Sequence, residues 1–171
     1  MGNFKHYDEA TAKYHKNINI KKAPIFSWEF HHEFLDEIKN SFLDISKLHN
    51  LGLKNQWKKT DWDFKALLKE QVVIVTDAKL KIVFASKNIT NMNGYIEEEV
   101  VGNSPKMFHG AATNQTTSRE IRTAIELRES FEKTVLNYKK NGETYVCVIK
   151  GFPIFNKKGD LSHFIAFEKA A

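Results

Sequence analysis

The sequence predicts an α+β fold, a five-stranded antiparallel sheet with short helices on one face, preceded by an N-terminal helical extension. Three observations carry this. Val72-Val73-Ile74-Val75-Thr76-Asp77 and Ile82-Val83-Phe84-Ala85-Ser86 are β-branched and aromatic runs flanking a tight polar turn, the pattern of a hairpin. Three further strand-like runs close the chain after one longer helical stretch. Upstream of Asn50, the apolar residues recur at three- and four-residue steps, the period of a helix. With 171 residues and 42% hydrophobic content the chain can bury one core. The expected division is an arm and helical extension over 1–70 and a domain over 71–171.

The elements follow in order. Residues 1–24 are polar, end at Pro24 and read as an arm. From Ser27, a plausible N-cap, Phe30, Phe34, Leu35, Ile38, Phe42, Ile45 and Leu48 share one helix face, with a stop expected at Asn50 to Gly52. Thr60-Asp61-Trp62-Asp63 has capping-box spacing and opens a shorter helix carrying Phe64, Leu67 and Leu68 into the first strand. After the hairpin, Asn88 to Tyr95 leads into a short acidic helix at Ile96 to Val101. A longer helix spans Gln115 to Leu127, and Lys140-Asn141-Gly142 and Lys158-Gly159-Asp160 mark the last two turns.

The apolar face of the first helix must dock somewhere, because each buried Phe, Leu or Ile is worth about 1.5–3 kcal/mol. Two readings stay open. It caps its own sheet, or it forms a homodimer interface through Phe30, Phe34, Ile38 and Phe42.

Composition narrows the function classes. The net charge of +5 is spread over both halves, with only pairs such as Lys21-Lys22 and Lys58-Lys59, so no nucleic-acid footprint is expected. The single Cys147 forms no intramolecular disulfide and suits a reducing compartment, and the N-terminus has no apolar run resembling a signal or membrane span. Cytoplasmic location without membrane association is the expectation. His31 and His32 point about 100° apart on a helix and cannot chelate one ion, so no metal site is expected. No phosphate loop, dinucleotide fingerprint or kinase signature is present. Asp77 opens a turn, and Glu97, Glu98 and Glu99 form a helix's first turn rather than a catalytic pair.

Taken in order, Val75-Thr76-Asp77, Phe84-Ala85-Ser86, Asn93-Gly94-Tyr95, Glu99-Val100-Val101-Gly102, Ser104 to Gly110, Asn137-Tyr138, Lys140-Asn141-Gly142 and Lys158-Gly159-Asp160 resemble a PAS (Per-Arnt-Sim) domain over roughly 71–169. Within it, Gly102 to Gly110, Thr113-Asn114-Gln115, Ile121 to Ile125 and Asn137 to Gly142 are similar to the light-oxygen-voltage (LOV) branch, which binds flavin and reacts through a cysteine. That resemblance places Pro105 at the reactive-cysteine position, where there is no nucleophile. It places Asn137 at one ring-reading amide, but Cys147, His109 and Glu168 at three others, so flavin is disfavoured; Lys106 and Arg122 are left to meet a phosphate.

Strand alternation supplies an independent list of inward side chains. Asn137 brings Val135, Cys147 brings Tyr145 and Ile149, and Glu168 brings Ala166 and Phe164. With Ile74, Thr76, Met107 and His109 they outline a mostly apolar pocket, in which Asn137 and His109 are the expected partners of Glu168. His163 falls on the outward alternation. The leading expectation is a stand-alone, non-enzymatic sensory or protein-interaction module working through a homodimer or a signalling partner. The alternative is a small-molecule or flavin-binding redox sensor.

Overall fold

The computed structural model describes the backbone from Phe26 and the side chains from Leu35 to the C-terminus. The chain divides into two units, Met1–Glu37 and Ile38–Ala171, and the second holds the sheet, the helices that pack on it and the C-terminal part of the first helix. Phe30, Phe34, His31, His32 and the polar arm lie outside the residues whose side chains are described.

Helix α1 (Phe26–Lys54) and helix α2 (Phe64–Glu70) precede strands β1 (Val72–Asp77) and β2 (Ile82–Ala85). Two short helices follow, α3 (Ile89–Asn93) and α4 (Glu97–Val100), then a 3-10 turn (Pro105–Phe108) and helix α5 (Gln115–Leu127). Strands β3 (Phe131–Tyr138), β4 (Thr144–Phe155) and β5 (Leu161–Ala170) complete the chain. The sheet order is β2-β1-β5-β4-β3, antiparallel throughout, so the last strand lies at the centre. The five strands and the long helix fall where the sequence predicts them. Asp77 closes the first hairpin, its Oδ1 accepting from the backbone N–H of Lys79 and Lys81 at 2.9 Å each. Gly142 and Gly159 take positive φ, +88° and +92°, in the other two turns, which suits a residue without Cβ.

α1 runs one turn past its expected stop, to Lys54, because Gly52 lies against the Trp57 ring rather than ending the helix; an added Cβ there would stand 3.1 Å from Trp57 Cε3. α2 is capped by Asp63, whose Oδ1 accepts from Lys65 N at 3.0 Å and Ala66 N at 3.1 Å; Thr60 is not the cap.

Both sheet faces are covered. On one, Val73, Val75, Phe84, Ile154, Ile165 and Phe167 form a core with Leu48 and Leu68, packed further by Ile45, Leu51, Trp57 and Trp62. On the other, Val72, Ile74, Ile82 and Ala85 pack with Ile89, Val100 and Phe108 from the short helices and the 3-10 turn. His163, expected to face outward, does leave the pocket face, yet it is buried. Trp57 Nε1 donates to its Nδ1 at 3.1 Å, the Ser162 hydroxyl lies 2.7 Å from the same nitrogen, and burial lowers its pKa, so the ring is held neutral with Nδ1 as acceptor. Strand alternation assigns a face and not its exposure. Here the second face is roofed by residues far upstream.

Asp44 fixes α1 to the sheet edge. It is buried, and its Oδ2 accepts from the Lys87 backbone N–H at 2.8 Å, while Oδ1 has no partner. Burial pushes its carboxyl up to about 6 against the opposing pull of that hydrogen bond. One turn on, Lys47 pairs with Glu97 of α4. The helix thereby changes character along its length. Leu48 is 1% exposed, whereas Ile38 and Phe42 are 51% and 71% exposed.

If the end of α1 belongs to the core, Leu48→Ala should lower stability by about 2–5 kcal/mol in chemical denaturation, while Ile38→Ala should change it by no more than about 0.5 kcal/mol. Equal small effects would show that the helix is peripheral.

Candidate functional site

The pocket face has a low centre. Reading across the strands, Ala85 pairs with Ile74, Ile74 with Ala166, Ala166 with Gly151 and Gly151 with Phe131. Three of the five side chains in this row are methyl or hydrogen. The Phe131 ring lies directly over Gly151, where an added Cβ would come within 2.3 Å of Cζ. Ala166 sits on the central strand, under the helical side, yet remains partly accessible, as do Ile149 and Pro153 beside it. Its neighbours on the other face, Ile165 and Phe167, are buried. α5 contacts β3 from the same side but buries none of its residues fully, with Ile121, Ala124 and Ile125 only half-buried. Small residues below and an incompletely docked helix at the side leave the inner face over β4 and β5 partly accessible at Ala166, Ile149 and Pro153.

A polar line borders it. Glu168 is buried at 4% exposure, opposite Val72 on β1 and Ile149 on β4. Its partner is the Cys147 thiol, which donates to Oε2 at 3.7 Å, and not Asn137 or His109 as the sequence suggests. The physical reason is register: Cys147 lies diagonally beside Glu168 on the adjacent strand, whereas Asn137 is two strands away and opposite Tyr145. Burial pushes the Glu168 carboxyl from the ordinary 4.5 up to about 7, with the thiol hydrogen bond pulling weakly the other way. Burial and then the Glu168 charge hold the Cys147 thiol far above its usual range, so it is an inert donor rather than a nucleophile. Next along β4, Tyr145 accepts from Asn93 Nδ2 at 3.5 Å, and burial raises its phenol to about 12. Asn137 is 2% exposed and its Oδ1 has no partner; Thr76 Oγ1 is likewise buried and unpartnered.

The other predicted residues divide. Ile74 belongs to the core of this face, with Met107 packed against it. His109 is half-buried and lowered by burial and then by Lys106, and no hydrogen bond joins it to Glu168. Arg122 is drawn into an exposed i,i+4 pair with Glu126 at 2.8 Å. Pro105 begins the 3-10 turn, with no thiol to offer. Among the described residues no group of three or more His, Cys, Asp or Glu is placed to hold a metal ion. Sequence reasoning missed Asn93 and Asp44. Asn93 precedes Gly94 and reads as a turn former, and Asp44 reads as the solvated side of an amphipathic helix.

A flavin would find one fitting group, Asn137 with its unpartnered carbonyl. At positions 109, 147 and 168, where the resemblance places amides, the fit fails: an imidazole, a thiol spent on Glu168 and a buried carboxyl stand there. Pro105 removes the nucleophile of an adduct and not a contact to the ring.

Residues 70–169 match the PAS domain family. Protein TWIN LOV 1 of Arabidopsis thaliana is 39% identical over 88 residues, covering 51% of this chain and 22% of that protein. A blue-light-activated histidine kinase of Brucella anthropi is 30% identical over 97 residues, 55% of this chain and 20% of the relative. The chain thus spans about a fifth of these relatives' length. A light-oxygen-voltage domain solved in a study of a flavin analogue superposes with TM-score 0.59 at 22% identity, covering 65% of this chain and 86% of that one, a likeness of fold.

Glu168 gives this site a pH signature. Its folded pKa, about 7, lies above the ordinary 4.5, so ionisation opposes folding. The cost is absent below about pH 4.5, grows as pH rises through the window and is complete above about pH 7. Glu168→Gln should therefore stabilise the protein by roughly 3 kcal/mol near pH 8 and by little near pH 4, measured by denaturation at both. A pH-independent difference would show that the carboxyl is not buried uncompensated.

Proposed function

The chain belongs to the PAS domain family, and on that premise we propose that it is a non-enzymatic sensory and protein-interaction module that signals by changing contacts made through α1. One observation carries this reading. The same helix is buried against the sheet at Leu48 and presents Ile38 and Phe42 to solvent. A change in the sheet therefore reaches a helix that carries, ten and six residues before Leu48, apolar side chains left in solvent among the described residues. A homodimer formed through that face, which the sequence spacing extends to Phe30 and Phe34, is the proposed assembly; a separate signalling protein is the other partner class. Among the described residues no helix is long and apolar enough to cross a membrane, and a cytoplasmic setting is proposed from the buried free thiol.

A second reading adds a small-molecule ligand on the inner sheet face, supported by the partly accessible Ala166 and the unpartnered Asn137 Oδ1. Flavin is the weaker candidate, for want of fitting groups at three positions.

Replacing Ile38 and Phe42 together with Glu should turn a dimer into a folded monomer by light scattering, because neither side chain belongs to the core. A wild-type monomer at high concentration would remove the assembly. For the light response, Pro105 sets the expectation: blue illumination with added flavin should leave the absorbance spectrum unchanged. A violet-absorbing adduct that reverses in the dark would contradict it.

A further inference from the structure

Lysines that the sequence shows only as separate pairs are gathered by the fold at one end of the sheet. The segment after α1 runs beside the turn between β4 and β5: the Lys58 backbone N–H donates to Phe155 O and that of Lys157 to Gln56 O, each at 2.9 Å, around a bridge between Trp57 and Asn156. The turn between β1 and β2 joins the same end. Trp57 Nε1 donates to His163 Nδ1, and His163 is in register with Asp77, where that turn begins. Three segments distant in sequence thus bring together Lys58, Lys59, Lys79, Lys81, Lys157 and Lys158, all exposed. Among the described residues none of them pairs with a carboxylate, whereas six lysines elsewhere do. Against them stand Asp61, Asp77 and Asp160. Asp77 Oδ1 accepts from the backbone N–H of Lys79 and Lys81, and Asp160 accepts from Asn156 Nδ2 at 3.3 Å.

A leucine sits among these lysines at a position that suits glycine. The three hairpin turns close with the same hydrogen bond, from Leu80 N to Asp77 O at 3.0 Å, from Gly142 N to Lys139 O and from Gly159 N to Asn156 O at 2.9 Å. In each, the donor residue takes positive φ; Leu80 holds +60° where the other two turns use glycine. The first hairpin therefore keeps an apolar side chain between Lys79 and Lys81 at a conformational cost. A second leucine, Leu53, is 64% exposed and precedes Lys54 at the end of α1, where the first basic segment starts. Ammonium groups around apolar side chains meet both demands of an anionic lipid surface, attraction to the headgroups and insertion beneath them. Other polyanions fit less well. The arginines of the chain, at 119, 122 and 128, lie on α5 or at its end, so no guanidinium fork is offered here to carboxylates. Trp57 and Phe155 are half-buried and give bases no platform to stack on.

We infer that this end of the sheet is a docking surface for an anionic lipid membrane, with the lysines of the three segments meeting the headgroups and Leu80 entering the interface between them. The sequence pointed away from membrane association because its lysines stand there as isolated pairs. The surface is independent of the assembly proposed above: Lys54 ends α1 sixteen residues after Ile38, about 24 Å along the helix.

The test is sedimentation of the full chain with vesicles of phosphatidylcholine alone and with vesicles in which about one-third is replaced by phosphatidylserine. At low salt the anionic vesicles should bind about tenfold or more tightly than the neutral ones, and the difference should shrink as the salt rises to about 0.5 M. Replacing Lys79 and Lys158 together with Glu should weaken binding to the anionic vesicles about tenfold or more, with the circular dichroism spectrum unchanged, because both are exposed turn residues. Leu80→Asn tests the apolar contact: asparagine tolerates the left-handed backbone, and the variant should lose vesicle affinity severalfold with every lysine still in place. Should the Leu80 variant misfold, the lysine variant still decides. Equal binding to both vesicles, binding to neither, or binding that the lysine reversals leave intact would overturn the surface. Tighter binding to polyglutamate or duplex DNA than to the anionic vesicles, unchanged in Leu80→Asn, would overturn the membrane as its partner.

Discussion

The constraint on which the rest depends is the placement of β5 at the centre of a sheet covered on both faces. Alternate residues of one strand must satisfy two environments. His163, Ile165 and Phe167 serve the layer built from α1, α2, Trp57 and Trp62, while Phe164, Ala166 and Glu168 serve the helical side. A one-residue slip would exchange the two sets and bury Lys169. Ala166 of the inner face thus adjoins Ile165, which packs in the same core as Leu48 of α1.

The two layers are held by different chemistry. The N-terminal layer is apolar packing pinned by specific hydrogen bonds, from Asp44 to Lys87 and from Trp57 to His163, which fix where the helix sits. In the opposite layer Ile89, Val100 and Phe108 are fully buried, whereas α5 reaches β3 through the Lys133–Glu120 pair and half-buried Ile121, Ala124 and Ile125, without a fully buried residue.

Much of this was legible in the sequence, for identifiable reasons. The strands of the domain announce themselves by β-branched runs, and their turns by Asp77, Gly142 and Gly159, each acting within a few residues of itself. Period-two alternation placed Asn137, Cys147 and Glu168 on one face, and the register confirms that they share it. What alternation cannot supply is which of them touch. Asn137 was the expected partner of Glu168, and the diagonal offset between strands brings Cys147 there instead. The fate of α1 was undecidable for a similar reason. A continuous apolar stripe does not reveal that its end at Leu48 is buried while Ile38 and Phe42 remain in water. Asp44 was invisible because its partner is a backbone N–H 43 residues away.

The central claim is that the inner sheet face keeps a carboxyl group dry, with the Cys147 thiol as its hydrogen-bond donor and no cation paired with it among the described residues. The most direct measurement is the carbon chemical shift of the Glu168 carboxyl, followed by NMR across pH in protein labelled at its glutamate carboxyls and assigned with the Gln variant. A midpoint near pH 7 is the result this account predicts. A midpoint at the ordinary carboxylate value of about 4.5 would contradict it, because the group would then be solvated or already paired.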